Sequence, residues 1–388
     1  MNYFDKNKLG IFPVFLAGFF LAVHYATVAY VNSSLLENIV GKNWLNIVYI
    51  VGSILSVLAL FLAPKLFRKF GSKSSLLLFV LLEIIAIFGI GSINFGILIV
   101  LLFLLHHTFV PSLYFSLDVN LERQISIEGT TGLKRGIFLT IQNIAWVVSP
   151  IALSFFISEG IFDRVYYISG ISLIFLFGTT LALFENTKKA DEKEADIFLT
   201  IKNLKKERDL RAVIFSHFIL NLFYSWMIIY LPLMLVKEIG FDWSQIGILF
   251  TLMLLPFLIF QLPAGILADK KIGEKELLIA GIIITSLSTV SISFFNQPIF
   301  WMWAIILFST RVGASIFEIS SESYFFKHVK EDDTGIISLF RALRPISFIV
   351  APILALPIIY FISYQTSFYF LGILVFLGLF FIPKIDTK

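Results

Sequence analysis

The chain is written twice in one register. Ala63-Pro-Lys-Leu-Phe-Arg-Lys-Phe-Gly71 lies between two apolar stretches of the first half, and Gly265-Ile-Leu-Ala-Asp-Lys-Lys-Ile-Gly273 lies between two of the second. Gly273 follows Gly71 by 202 residues, and the same offset carries Thr108 to Thr310, Phe115 to Phe317 and Pro150 to Pro352. Four distant points that agree without a gap restrict the fold to two copies of one unit.

Composition says what that unit is made of. Hydrophobic residues at 58%, a mean hydropathy of +0.91 and 44 Phe among 388 residues exceed what one water-soluble core can bury, and they suit surfaces whose solvent is lipid. Apolar stretches long enough to cross a bilayer fall near 10–32, 43–63, 74–93, 95–118, 136–158, 166–184, 211–236, 244–264, 276–295, 298–326, 335–361 and 366–383. A β-barrel needs short segments of alternating polarity, and runs such as Leu76-Leu-Leu-Phe-Val-Leu-Leu do not alternate. The expectation is an all-α membrane protein of twelve transmembrane helices in two pseudo-symmetric six-helix bundles, 1–184 and 211–388, joined by a cytoplasmic linker at 185–210.

Orientation follows from the cations. With a cytoplasmic N-terminus, inner segments hold 24 of the 30 Lys and Arg, outer loops hold only Lys42, Arg164 and Lys237, and the spans hold Arg311, Arg341 and Arg344. That bias places both termini in the cytoplasm and the chain in the inner membrane. The pI near 9.0 then reports insertion and excludes a nucleic-acid partner. The first span is full length and has no small-residue cleavage site, so no cleavable signal is expected. With no cysteine there is neither disulfide nor thiol chemistry. The second part of the linker, Ile197-Phe-Leu-Thr-Ile-Lys-Asn-Leu-Lys-Lys, has helical apolar spacing and reads as an amphipathic helix on the inner leaflet or as a plain tether.

The loop Gly265-Ile-Leu-Ala-Asp269-Lys270-Lys271-Ile-Gly273 follows the second span of its half. It resembles the loop signature of the major facilitator superfamily: glycine, three residues, aspartate, then basic residues around a second glycine. The resemblance, taken with twelve spans and a central linker, covers essentially the whole chain. It implies two bundles rocking about a central cavity lined by spans 1, 4, 7 and 10, with Gly265, Asp269, Lys270, Lys271 and Gly273 as a conformational latch. The first copy departs from the pattern, with Phe67 at the aspartate position and Ala63 at the first glycine. Asp269 is otherwise a simple turn residue.

Charge at bilayer depth is costly and is usually kept for a pathway or a partner. In span 10, Arg311, Ser315, Glu318 and Glu322 share one helix face, and in span 4 His107, Pro111, Tyr114 and Asp118 repeat the same spacings. Two polar stripes in apolar cylinders are what a water-filled pathway for a small-molecule substrate and for protons requires. Glu318 and Asp118 are the first candidates for proton coupling. Arg341 and Arg344, one turn apart in span 11, offer a structural alternative by pairing with Glu322 and Glu318 across the short hairpin. Arg311 has no acidic neighbour in that hairpin and reads as the counter-ion of an anionic substrate group or as a partner of Glu83 or Asp118. His24, Tyr25 and Asn32 in span 1, and His217, Asn221 and Tyr224 in span 7, lie on helices that the resemblance places along the cavity. Glu83 is read as a buried protonated carboxyl or a proton site. Adjacent His106 and His107 cannot converge on one centre, so no metal site is expected.

Asn143-Ile-Ala-Trp-Val-Val-Ser149-Pro150 and Arg344-Pro345 through Ala351-Pro352 look like a decayed form of the glycine-proline stretch of drug/proton exporters in that superfamily. The glycines are missing, and gate-like bending of span 11 at Pro345, Pro352 and Pro357 is the firmer inference. There is no phosphate-binding glycine loop, zinc spacing or nucleophile elbow, so neither an enzyme nor a cofactor is expected. The sequence therefore reads as a monomeric, proton-coupled secondary transporter working by alternating access, in one form an exporter of amphipathic compounds. The alternatives are an uptake symporter or facilitator for a sugar, organic anion or other metabolite, and a non-transporting membrane sensor or scaffold with the same fold.

Overall fold

The computed structural model describes residues 10–128, 131–157, 161–186, 207–268, 273–329 and 334–382. Among them the regular structure is helical throughout. The first half holds α1 (Phe12–Ala29), α2 (Asn32–Phe70), α3 (Ser72–Ser92), α4 (Gly96–Glu128), α5 (Thr131–Val148), the short α6 (Ile151–Phe156) and α7 (Asp163–Leu183). The second holds α8 (Arg208–Met234) with a π-turn at Leu235–Ile239, α9 (Trp243–Ile259), the short α10 (Gln261–Leu267), α11 (Glu274–Ser291), α12 (Phe300–His328), α13 (Thr334–Phe361) and α14 (Tyr364–Leu377). The chain divides into two compact units, Met1–Glu192 and Lys193–Lys388.

Ten described helical segments are long and apolar enough to cross a membrane. One of these, Phe12–Phe70, is 59 residues long and contains two spans, while Tyr364–Phe380 is apolar but shorter. Dividing the first and adding the last gives the expected twelve. The division falls at Gly41, whose φ of 76° no L side chain adopts easily. The first span thus continues past Asn32, where the sequence pattern ends it, to Val40. The reason is local: Asn32, Ser33 and Ser34 look like a polar exit from the bilayer, yet all three are buried in the bundle. Large apolar residues face outward in both units, Phe155 at 74% and Phe361 at 80% exposure among them, as surfaces solvated by lipid do.

Helix contacts in the two units use different side chains. In the second unit α11 and α12 meet backbone to backbone. A Cβ on Gly281 would come within 2.7 Å of Phe317 N, and one on Gly313 within 2.4 Å of Thr285 N. At the corresponding positions of the first unit stand Phe79 and Pro111, and α3 meets α4 through Phe79 stacked on Phe109 with ring centroids 5.5 Å apart. At one end of the second unit Glu238, in the π-turn, accepts hydrogen bonds from the backbone N–H of Tyr364 and of Gln365, both at 2.8 Å. The carboxylate thereby satisfies amides left open at the start of α14. The Gln365 side chain donates to Phe295 O and Asn296 Oδ1, each at 2.8 Å, tying the same corner to the end of α11.

Candidate functional site

In the first unit three ionisable side chains from three helices converge in the apolar interior. Glu83 of α3 is flanked by His24 of α1, whose Nε2 lies 3.0 Å from Glu83 Oε1, and by His106 of α4, whose Nδ1 is in direct contact with the same oxygen. All three are 0% exposed. The outer ring nitrogens are also held: His24 Nδ1 is 2.7 Å from Ser169 Oγ, and His106 Nε2 is 3.3 Å from Asn32 Nδ2. The Asn32 carbonyl oxygen accepts from the Tyr166 hydroxyl at 2.7 Å, and Ser169 donates to the His24 carbonyl at 3.0 Å. One buried polar atom of the cluster, Glu83 Oε2, has no hydrogen-bond partner among the described residues. Burial of such groups is costly unless each finds its complement.

This arrangement bears on two expectations. Glu83 is a partner of histidines in its own unit. The metal expectation rested on the adjacent pair His106 and His107, which do point apart, but a set of donors assembles from α1, α3 and α4 with all ligand atoms within 4.8 Å of one another. The available signal was the cost of two histidines and a glutamate in otherwise apolar spans, which calls for partners on neighbouring helices.

In the second unit the most buried charge is Arg311 of α12, 1% exposed. Its guanidinium lies over the rings of Phe223 and Tyr224 in α8, at 4.9 and 5.7 Å from their centroids. Its Nε and Nη1 have no hydrogen-bond partner, and neither does the Tyr224 hydroxyl. Two cation–π contacts contribute about 2 kcal/mol each when desolvated, well short of what a buried cation needs. Donors of this kind fit the oxygens of a carboxylate or phosphate. Glu318, half-buried two turns along α12, accepts from Gln261 Nε2 at 3.3 Å. Of the expected hairpin contacts, Arg341 Nη1 lies 3.6 Å from Glu322 Oε1, and Arg344 follows one turn on, its carbonyl accepting from Ser347 Oγ at 2.6 Å.

The remaining residues divide between helix packing and the interior. His107 Nε2 is 2.9 Å from Ser53 Oγ, and its carbonyl accepts from Ser56 at 2.5 Å, so the upper end of the α4 stripe faces α2. Tyr25 is buried, its ring edge-on to Tyr114 at 6.1 Å and to Trp146 at 5.4 Å. Asp118 is half-buried one turn beyond Tyr114. Asn221 donates back to the carbonyl of His217 at 2.9 Å, while His217 Nδ1 meets Ser321 Oγ at 3.0 Å and its ring stacks on Phe340.

Both short turns of the repeat are built on one backbone geometry. Gly71 has φ 90° and ψ 159°, and Gly273 has φ 94° and ψ 157°; Gly71 ends α2 and opens α3, and Gly273 opens α11. Asp269, Lys270 and Lys271 lie outside the described residues, so of the latch only Gly265, against Ile319, and Gly273 are described. In the first copy Phe67, at the aspartate position, stacks on Phe115 at 5.7 Å and 10°. Asn186 holds that turn by donating to Phe70 O at 3.2 Å, and Lys73 donates to Leu181 O at 2.7 Å.

Comparison with known proteins agrees with this architecture. The family model of the Major Facilitator Superfamily matches residues 213–387. No curated protein matches in sequence. A mutant of the nucleoside transporter NupG superposes with a TM-score of 0.77 at 12% identity, covering 97% of this chain and 99% of that one. A POT family transporter solved with 5-aminolevulinic acid gives 0.74 at 15% identity, covering 97% of this chain and 96% of that one. The second half of the chain thus matches the Major Facilitator Superfamily model, and over its whole length the chain shares the fold of these solved transporters, with helices long and apolar enough to cross a membrane.

Proposed function

We propose that the protein is a secondary transporter of the cytoplasmic membrane that carries a small organic solute bearing an anionic group, by alternating access and coupled to protons. The observation that carries this reading is Arg311, a buried guanidinium with two vacant donors between aromatic faces. An arginine kept in an apolar interior with two donors that no described residue satisfies fits a site whose hydrogen-bonding anion is the cargo. Phe223, Tyr224 and Phe257, the last 6.2 Å from the Tyr224 ring, supply apolar walls for the rest of the solute. Glu318 is the group assigned to the proton, since a half-buried carboxyl on the same helix can exchange its charge as water enters and leaves. Similarity to a transporter solved with 5-aminolevulinic acid is compatible with a carboxylate as the anionic group.

The test is flux in proteoliposomes under an imposed pH gradient, with a panel of small carboxylates, phosphorylated compounds, neutral sugars and nucleosides, and lipophilic cations. The expected result is movement of an anionic class, lost in Arg311→Gln, with Glu318→Gln losing gradient-driven accumulation but keeping exchange. Movement of a neutral or cationic class that survives Arg311→Gln overturns the assignment of cargo. Accumulation that survives Glu318→Gln overturns the coupling.

A further inference from the structure

We propose that His24, Glu83 and His106 form a binding site for one divalent first-row transition-metal ion of the zinc or cobalt kind. The site is a set of convergent donors from three helices, two imidazole nitrogens and a carboxylate, with their ligand atoms all within 4.8 Å of one another. Metal–ligand bonds of about 2.0–2.2 Å put the ligands of a tetrahedral ion about 3.3 Å apart, close to the 3.0 Å between His24 Nε2 and Glu83 Oε1. A small parting of His106 from Glu83 completes that geometry. Glu83 Oε2 has no hydrogen-bond partner and His24 Nε2 is met by Glu83 Oε1 at 3.0 Å, and both atoms belong to fully buried members of the same cluster. An ion uses both: the nitrogen as ligand, and the second carboxylate oxygen as a further ligand in the fourth position.

The outer shell is the kind that metal-bound imidazoles require. Each histidine has a polar partner on the nitrogen facing away from the cluster, Ser169 on His24 and Asn32 on His106. These partners fix ring orientation and turn both inner nitrogens toward Glu83. The Asn32 amide and the Tyr166 hydroxyl can reverse together, so that His106 donates outward and presents a bare Nδ1 to the ion. Donor chemistry sets the class: imidazole with carboxylate favours zinc and its neighbours over calcium or magnesium, and without thiolates the site does not select copper(I). The charge balance agrees, because two neutral imidazoles do not compensate a fully buried carboxylate, whereas a dication does. The 202-residue offset leads from His24, Glu83 and His106 to Trp226, Thr285 and Phe308, so the second unit carries no copy of the site.

The experiment is a Co2+ titration of the tag-free, chelator-treated protein in detergent, followed by visible d–d absorption and by metal content per chain, with Zn2+ competition and melting temperature in parallel. Expected are one Co2+ per chain with an intense tetrahedral spectrum, displacement by Zn2+, and a Zn2+-dependent rise in melting temperature of a few degrees. His24→Gln and Glu83→Gln lose the spectrum, while His107→Gln and His217→Gln keep it. Asn32→Ala, which spares every ligand, weakens affinity about 10–100-fold and carries the test if a ligand variant fails to fold. Absence of stoichiometric binding by the wild type, binding that persists in both ligand variants, or an unchanged affinity in Asn32→Ala overturns the site and leaves the cluster a proton-sharing network. None of these readouts depends on transport, so the outcome is independent of the cargo carried at Arg311.

Discussion

The interior of the N-terminal unit is a network of mutual answers: Ser169 to His24, His24 and His106 to Glu83, Asn32 to His106, Tyr166 to Asn32. The interior of the C-terminal unit holds a buried cation that ring faces answer only in part, since Arg311 keeps two donors without a hydrogen-bond partner among the described residues. These are two solutions to one problem, polarity in an apolar bundle, and they separate two roles. A network closed among helices of one unit fixes those helices and can hold an ion. An open donor is kept at a cost that only an outside partner removes. The shared register sharpens the contrast, because Arg311 corresponds to Phe109 and Glu83 to Thr285, so each unit spends its polarity where the other is apolar or weakly polar.

The largest expected effect breaks the network. Glu83→Gln should lower unfolding free energy by about 3–5 kcal/mol, because it strips the central partner from buried groups, whereas Thr285→Val at the matching position should cost about 1 kcal/mol. Melting of both variants in one detergent compares them; equal losses would show that the triad is no more than ordinary packing. Next comes the open donor. Arg311→Gln should reduce binding of the anionic solute by roughly 10–150-fold, corresponding to about 1.5–3 kcal/mol, while Phe109→Leu leaves it within about twofold. Isothermal titration with the transported compound decides it.

A smaller effect distinguishes the helix contacts. Gly313→Ala puts a methyl within 2.4 Å of Thr285 N and should cost about 1–3 kcal/mol, whereas Gly178→Ala meets nothing within 4 Å and should be neutral or slightly stabilising. A melting curve in which the two variants match would refute backbone contact between α11 and α12. The smallest effect tests the turns. Gly71→Ala and Gly273→Ala should each cost about 1–2 kcal/mol for a positive φ, and Gly71→Ala somewhat more, because its methyl would fall 2.1 Å from Asn186 Oδ1. Asn186→Ser should bring the two back together.

How much of this was legible in the sequence depends on distance along the chain. The repeat was legible because it is a register, and Gly71 and Gly273 do share one rare backbone conformation. The spans were legible because twenty apolar residues need no partner to be recognised. The first span was ended near residue 32, and the tie of Asn32 into the bundle was not legible because its partners, His106 and Tyr166, stand 74 and 134 residues away. The triad was missed for the same reason: His24, Glu83 and His106 meet only after three helices pack, and attention to the neighbours His106 and His107 compared residues that a helix points apart. Arg311 was legible by cost alone, since a cation deep in a span with no acid in its hairpin is an outlier before any coordinates exist.

Glu238 bolts the end of α8 to the start of α14, and Gln365 fastens the same corner to the end of α11. A bolted corner turns those three helices into one stiff frame at that end. The neighbouring α13 is built the other way, with Pro345, Pro352 and Pro357 each removing a backbone hydrogen bond from the rod. Single prolines also interrupt α8 at Pro232 and α9 at Pro256, but three fall in α13, and a movement of the C-terminal unit is expected to appear first as flexing of α13.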